Sequence, residues 1–360
     1  MSSQKPHLFI AGGGSGGHVF PGLAVADEMA ARGWRVSWIG RPEGMERRLV
    51  TAHGLPYCEL AARPLVGHGA VARLAALAVL GRSALAARRL LRRGAGRAVL
   101  GTGGYVSAPA VVGARLAGRP SVLLEPNAVP GAANRLLSRL ATVAAVAWPE
   151  TAAKLACPGR KTGVPIRRGF AGMAAIAPTE RRRILILGGS QGALELNRIV
   201  PPALAELAGR GMRLAVRHQT GAAHLDAARQ VWASRERDGL EVEVVSFVDD
   251  VAAALGEADL VVSRAGAVTL AEITASGRPA LLIPYGFAGG HQADNAARLE
   301  AAGGARLLRP EENDVTGCAA ALASLLEDPA TLVAMGRALG ELSRPAAASD
   351  VARLVAEVAG

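Results

Sequence analysis

A strand that runs straight into a glycine loop and then into a helix occurs twice in this chain. The first copy is HLFIAGGGSGGHVFPGLAVADEMA from His7 and the second is RILILGGSQGALELNRIV from Arg183, with the loops 175 residues apart. Glycines let backbone N–H groups approach a ligand closely, and the helix that follows aims its positive end at the same place. One such unit fits a phosphate. Two in one chain predict two domains that face a central cleft, one holding a nucleotide and the other a second substrate.

The rest of the chain keeps the same rhythm. Apolar runs at Arg35 to Ile39, Ala98 to Leu100, Ser121 to Leu124 and Thr142 to Val146 each precede a helix-like stretch. The same holds for Leu214 to Arg217, Val242 to Ser246, Leu260 to Val262 and Ala280 to Ile283. Strict alternation predicts an α/β fold of two parallel sheets with helices on both faces, and such sheets bind ligands at the carboxyl ends of their strands. A length of 360 residues suits two cores of about 150 to 200 residues each. Pro, Gly and Arg mix without periodicity at 164–178, which reads as a linker between domains at 1–163 and 179–344. The alanine-rich tail at 345–360 reads as a terminal helix that can pack back on the first domain.

Cys58, Cys157 and Cys318 are odd in number and lack CxxC spacing, which argues against a disulfide framework and a zinc site and favours a reducing cytoplasm. The opening residues enter a strand without a secretory leader, so export is not expected. Arg73 and Arg82 interrupt the best apolar stretch, so a spanning helix is not expected.

Charge is unevenly shared. Residues 1–163 carry 21 Lys and Arg against 7 Asp and Glu, whereas 164–360 carry 20 against 23. The first half therefore faces an anionic partner. Within it, AVARLAALAVLGRSALAARRLLRRGAGR from Ala70 combines Leu74, Leu77, Leu85, Leu90 and Leu91 with Arg73, Arg82, Arg88, Arg89, Arg92 and Arg93. That pattern suits a helix lying on an anionic membrane leaflet, and equally a crossover helix whose leucines pack on the sheet. Nucleic acid fits poorly, because base-stacking aromatics are absent from the stretch and only 3% of the chain.

Three loops carry candidate chemistry. Gly12, Gly14 and Gly17 formally match the dinucleotide fingerprint, but the second strand ends on Gly40 and Arg41 rather than an acid, so only an NADP-dependent oxidoreductase survives as that alternative. His18 closes this loop at a helix start, where the dipole favours a neutral, proton-accepting imidazole and suggests a general base. A third loop, Gly101 to Ser107, should lie beside it. In the second half, Glu272 sits inside a helix after a tight loop, where it can accept from a ribose diol or merely complement the helix dipole. Gln292 and Asn295 open a later helix and can read sugar hydroxyls. Asp249 and Asp250 look like a helix cap rather than a cation site.

Taken in order, GGGSGGHVFPGLAVA, GTGGYVSAPA, EPNAVPGAANRLL, GGSQGALELN, SRAGAVTLAE and HQADNA resemble the MurG family of bacterial N-acetylglucosamine transferases along nearly the whole chain. The resemblance implies a GT-B fold of two Rossmann-like domains. It implies an inverting transfer of GlcNAc from UDP-GlcNAc to the 4-hydroxyl of the muramoyl unit of lipid I, giving lipid II of peptidoglycan, with no metal or other cofactor. The enzyme would be peripheral to the cytoplasmic face of the plasma membrane, within reach of other cell-wall synthesis proteins. A nucleotide-binding scaffold without turnover is the non-enzyme alternative.

Carried over by position, Ser190 and its loop meet the donor diphosphate, as do Ala267, Val268, Thr269, Leu270 and Ala271. Val248 reads uracil through its backbone, Glu272 takes the ribose and Gln292 the GlcNAc hydroxyls. Ser15, Gly16, Gly17, Asn127 and Arg167 match further donor positions. His18, Gly103, Gly104, Tyr105, Glu125 and Asn134 fall on the acceptor side or at the catalytic centre, with His18 the first choice as base and Glu125 the second. The chain departs from the family pattern at Leu124, Pro126, Val164, Gly289 and Gly290.

Overall fold

A computed structural model describes residues 5–63, 70–170, 172–173, 175–189, 192–235, 237–286 and 290–360, with only the backbone of 70–73. The chain forms two compact units, Met1–Arg168 with Arg344–Gly360, and Gly169–Ser343. The division falls inside the expected linker, whose described residues hold no helix or strand.

Among the described residues the first unit contains seven parallel strands in the order β3-β2-β1-β4-β5-β6-β7. They are β1 (His7–Gly12), β2 (Arg35–Gly40), β3 (Tyr57–Glu59), β4 (Gly96–Gly103), β5 (Ser121–Glu125), β6 (Val143–Val146) and β7 (Gly159–Lys161). Helices α1 (Gly16–Ala31), α2 (Met45–Ala52), α3 (Ala70–Arg93), α4 (Ala108–Ala117), α5 (Ala132–Leu137) and α6 (Pro149–Ala152) connect them. Every residue of β1 is buried, as a strand covered on both faces requires, and this is why HLFIAG reads as an unbroken apolar run. One face of the sheet packs Leu8, Ile10, Leu100 and Leu124 against Val19, Val25 and Met29 of α1. Each such side chain contributes roughly 1.5–3 kcal/mol by leaving water.

Among the described residues the second unit repeats the plan with six parallel strands in the order β10-β9-β8-β11-β12-β13. These are β8 (Arg182–Leu187), β9 (Leu214–Gln219), β10 (Leu240–Val245), β11 (Leu260–Ser263), β12 (Ala280–Leu282) and β13 (Ala305–Leu307). Its helices are α7 (Leu194–Gly209), α8 (Leu225–Ala233), α9 (Val251–Glu257), α10 (Ala267–Ser276), α11 (His291–Ala301), α12 (Val315–Leu326) and α13 (Pro329–Leu342). The terminal helix α14 (Ala347–Ala359) belongs to the first unit. There Val351, Leu354 and Val355 join the α1 core, and Arg32 donates to the Ser349 carbonyl at 3.1 Å and hydroxyl at 2.8 Å.

In α3 the apolar residues divide between two tasks. Ala84, Ala87 and Leu91 are buried, Leu91 in a cluster with Phe9 and Val99, so Leu91 belongs to the core and not to an outer apolar face. Leu74 and Leu77 remain 68% and 52% exposed, and Leu85 shares their side of the helix with exposed Arg82, Arg89, Arg92 and Arg93. Arg88 is tied down, its Nε donating to the Leu116 carbonyl at 3.1 Å. The side chain of Arg73 lies outside the described residues. Among the described residues no single helix is long and apolar enough to cross a membrane.

Candidate active site

Pairing of β2, β1 and β4 as neighbours sets their carboxyl-end loops side by side in the first unit. The loop after β1 is held from below by a group the motif analysis did not find. Glu46, in the first turn of α2, is 0% exposed in its side chain; its Oε2 accepts from Gly14 N at 3.2 Å, and its Oε1 accepts from Arg41 N at 3.3 Å and Arg41 Nε at 3.2 Å. A Cβ on Gly13 would fall 2.4 Å from the Glu46 carboxyl carbon, so the close approach demands glycine there, and Gly14 at φ +85° turns the chain away. Burial raises the Glu46 pKa, but bonds from its own N–H, from Arg41 and from Gly14 outweigh burial and hold the carboxyl below its ordinary value.

This corrects the dinucleotide reading of Gly12 to Gly17. An anionic carboxylate already accepts from the Gly14 N–H that a pyrophosphate would need, and its charge repels a second anion. Arg41, the residue that kept an NADP reading alive, is the ion-pair partner of Glu46 and donates to the Tyr105 hydroxyl at 3.0 Å.

His18 is the third residue of α1, and its ring rests on the loop after β4. Its Nδ1 lies 2.9 Å from the Gly13 carbonyl and 3.3 Å from Ser15 Oγ. A carbonyl can only accept, so Nδ1 carries the proton and Nε2 is left with the lone pair. A Cβ on Gly103 would meet the ring at 2.9 Å and one on Gly104 at 3.2 Å, and both residues have positive φ. Thus Gly103 and Gly104 in the third loop are the seat of the imidazole. Arg167 stacks its guanidinium 4.6 Å from the ring centroid of Phe20, two residues further along α1.

Glu125, the second choice as base, is engaged within its own loop. Its carboxylate is 1% exposed and accepts from Asn127 N at 3.0 Å, Asn127 Nδ2 at 2.9 Å, Gly131 N at 2.9 Å and Asn134 Nδ2 at 3.0 Å. These four bonds organise the loop between β5 and α5. Asn134 is buried with it and also donates to the Leu124 carbonyl at 2.9 Å.

In the second unit Ser190 and Gln191 lie outside the described residues, but their loop is anchored on both sides. Gln219 at the end of β9 donates to the Gly189 carbonyl at 2.9 Å, and a Cβ on Gly192 would fall 2.1 Å from the Thr220 carbonyl. Three aspartates, Asp250, Asp314 and Asp328, cap α9, α12 and α13 through their side chains, whereas α7, α10 and α11 open on Ala193, Gly266 and Gly290 with no side-chain cap. Their first N–H groups are therefore available to a ligand's oxygens rather than to their own cap residues. Ala267, Val268, Thr269, Leu270 and Ala271 form the first half of α10, and Glu272 follows at 6% exposure. Val248 is buried in the turn before α9.

Two further side chains fix these loops. Gln292 Oε1 accepts from Ala265 N at 3.3 Å and Tyr285 N at 2.9 Å, so its oxygen clamps the loops after β11 and β12 and its amide donors are what it can offer a sugar. Arg264 was not singled out from the sequence. It is 13% exposed in its side chain, donates to Glu195 Oε2 at 2.7 Å and to the Ile283 and Pro284 carbonyls, and stacks 5.4 Å from the Tyr285 ring centroid. Asn313 donates to the other Glu195 oxygen.

The residues that are similar to known proteins extend well beyond these loops. Residues 8–146 match the glycosyltransferase family 28 N-terminal domain and residues 183–351 the C-terminal domain of that family. A Burkholderia multivorans protein is 43% identical over 100% of this chain and 98% of its own length; it is named UDP-N-acetylglucosamine--N-acetylmuramyl-(pentapeptide) pyrophosphoryl-undecaprenol N-acetylglucosamine transferase. A Stutzerimonas stutzeri protein of the same name is 41% identical over 98% of this chain and 99% of its own length. The crystal structure of Acinetobacter baumannii MurG superposes with a TM-score of 0.81 at 31% identity, covering 98% of this chain and 99% of that one. Two parallel α/β units with glycine loops at their strand ends, matched in sequence and in fold over nearly their full length, place this chain in glycosyltransferase family 28, among the MurG transferases of the GT-B fold.

Proposed function

We propose that the protein transfers GlcNAc from UDP-GlcNAc to lipid I and so forms lipid II in peptidoglycan synthesis, with His18 as the general base. The full-length likeness to transferases of that name supports the reaction. The observation that carries the catalytic assignment is the His18 tautomer, since the Gly13 carbonyl at 2.9 Å takes the Nδ1 proton and leaves Nε2 to accept one. In the proposed step Nε2 removes the proton of the muramoyl 4-hydroxyl as that oxygen bonds to C1 of GlcNAc. The C1–O bond to the diphosphate breaks from the opposite face, its electron pair leaves with UDP, and the anomeric centre inverts.

The second unit supplies the donor site. The uncapped first turns of α7 and α10 oppose the diphosphate charge, each worth up to about 1 kcal/mol per helix end, and more in a site closed to water. Val248 backbone groups read uracil, Glu272 accepts from the ribose hydroxyls, and the Gln292 amide donates to GlcNAc. In this reading helix ends and side-chain donors, rather than a metal, neutralise the leaving diphosphate. On the first unit Gly103, Gly104 and Tyr105 border the acceptor position, and the exposed leucines and arginines of α3 hold the enzyme to the anionic cytoplasmic leaflet where lipid I resides.

His18→Ala with a soluble lipid I analogue tests the central assignment. A fall in kcat of about 10²–10⁴-fold at unchanged UDP-GlcNAc affinity is expected for loss of a general base. A rate within twofold of wild type places the base elsewhere. Glu272→Ala should weaken UDP-GlcNAc at least tenfold by calorimetry, and unchanged affinity removes its ribose role.

A further inference from the structure

We propose that Arg41 and Glu46 form a strap that positions His18, making them determinants of turnover although neither touches the imidazole. The inference rests on His18 being the base. It begins from strand order. β2, β1 and β4 are successive neighbours, so the loops after β2 and β4 flank the loop after β1, separated by two strand spacings of about 4.8 Å each. Arg41 starts in the β2 loop and its NH1 reaches the Tyr105 hydroxyl in the β4 loop at 3.0 Å, crossing the glycine loop that leads to His18.

Glu46 fastens the strap at its centre. One carboxylate oxygen takes both the backbone N–H and the Nε of Arg41, and the other takes Gly14 N. Tyr57 holds the root of the strap, its hydroxyl donating to the Arg41 carbonyl at 2.7 Å. The two surfaces against which the His18 ring is set, the Gly13 carbonyl and the Gly103–Gly104 backbone, thus belong to loops that Glu46 and Arg41 tie together. A catalytic group has to be held within about half an ångström of its productive position by supports that are themselves locked. Here the lock is a fully desolvated carboxylate whose two oxygens both face donors.

That last feature gives a sharp probe. Glu46→Gln keeps the shape but turns an amide NH2 toward either Gly14 N–H or Arg41, setting donor against donor. Kinetics with the soluble lipid I analogue, calorimetry with UDP-GlcNAc, and ¹⁵N imidazole spectra of His18 should be compared for wild type, Glu46→Gln, Arg41→Lys and His18→Ala.

The strap predicts that Glu46→Gln and Arg41→Lys each lower kcat at least tenfold. UDP-GlcNAc affinity should stay within twofold, and the His18 spectrum should shift from a single Nδ1–H tautomer to a mixture. Turnover within twofold of wild type in both variants, or an unaltered His18 spectrum, overturns the strap. A parallel loss of donor affinity does so too, because it marks a general loss of structure. Arg41→Lys retains the charge and so remains informative if Glu46→Gln does not fold. If instead His18→Ala keeps its rate, the base assignment fails by itself, whereas the spectra still report whether the strap orients the ring.

Discussion

At the scale of single residues, buried charge in this protein divides between support of the loops and support of the fold. Asp259 lies at the amino end of β11, away from the glycine loops, and is buried with Arg183 as its partner. It accepts from Arg183 N at 2.8 Å and from Arg183 NH2 at 2.7 Å. The Arg183 side chain is 44% exposed and keeps its access to water, but its backbone N–H loses an acceptor, so Asp259→Ala should cost about 1–3 kcal/mol in urea unfolding. A loss below about 1 kcal/mol would show that the pair is solvent-relaxed. His218 is of the opposite kind. Burial lowers its pKa to about 4, and its two nitrogens are occupied by Trp232 Nε1 at 3.0 Å and Asn197 Oδ1 at 3.0 Å. It is neutral when folded but protonates near 6.5 when unfolded, so the unfolded chain takes up a proton first as pH falls. Stability should therefore decline from pH 6.5 to about 4, by roughly 1.4 kcal/mol per pH unit for this one group. Thermal melts of wild type and His218→Gln across that window check it: the variant should show the shallower slope.

At the scale of elements, α3 is a crossover helix on one side and an exposed Leu and Arg surface on the other. Its inner side is small and tight, with Ala84, Ala87 and Leu91 buried, and its outer side shows Leu74, Leu77, Arg82 and Arg89. Replacing Leu74 and Leu77 together by Asp should leave the melting temperature within about 2 °C, since surface changes are usually worth under 0.5 kcal/mol. Binding to vesicles containing anionic lipid should fall at least tenfold, and undiminished vesicle binding would assign the contact to another surface. The division of α3 was partly legible: the Leu and Arg spacing announced an amphipathic helix, but which leucines faced the sheet depended on the register of α3 against Phe9. The strands read from apolar runs are all present: β1, β11 and β12 are buried throughout, and β10, at the sheet edge, was legible although none of its residues is fully buried. Of the four three-residue strands, β12 read as an apolar run because all three of its residues are buried, whereas β3, β7 and β13 are not fully buried and left no run.

At the scale of the whole molecule, two doubly wound units are built on one plan, and their glycine loops differ in what lies against them. In the first, Glu46 fills the loop from beneath and accepts from Gly14 N; in the second, Gln219 and the Thr220 carbonyl flank the loop, and under the proposed function the first turns of α7 and α10 face the diphosphate. The sequence showed both loops as phosphate motifs because glycine spacing records backbone approach, not which group approaches. Glu46 itself looked like any acid in a first helical turn, and only the adjacency of β2 and β1 brings it under Gly13. Glu125 shows the same limit: a carboxylate at a strand end suggests chemistry, and its four donors from the following loop could not be read from the sequence.

The most direct measurement of this account is transfer of labelled GlcNAc from UDP-GlcNAc to a soluble lipid I analogue by the purified protein, with the product's anomeric linkage read by NMR. The account predicts stoichiometric UDP release and a β-linked disaccharide, retained in EDTA. UDP-GlcNAc left intact, or cleaved to free GlcNAc with no label on the acceptor, would contradict it.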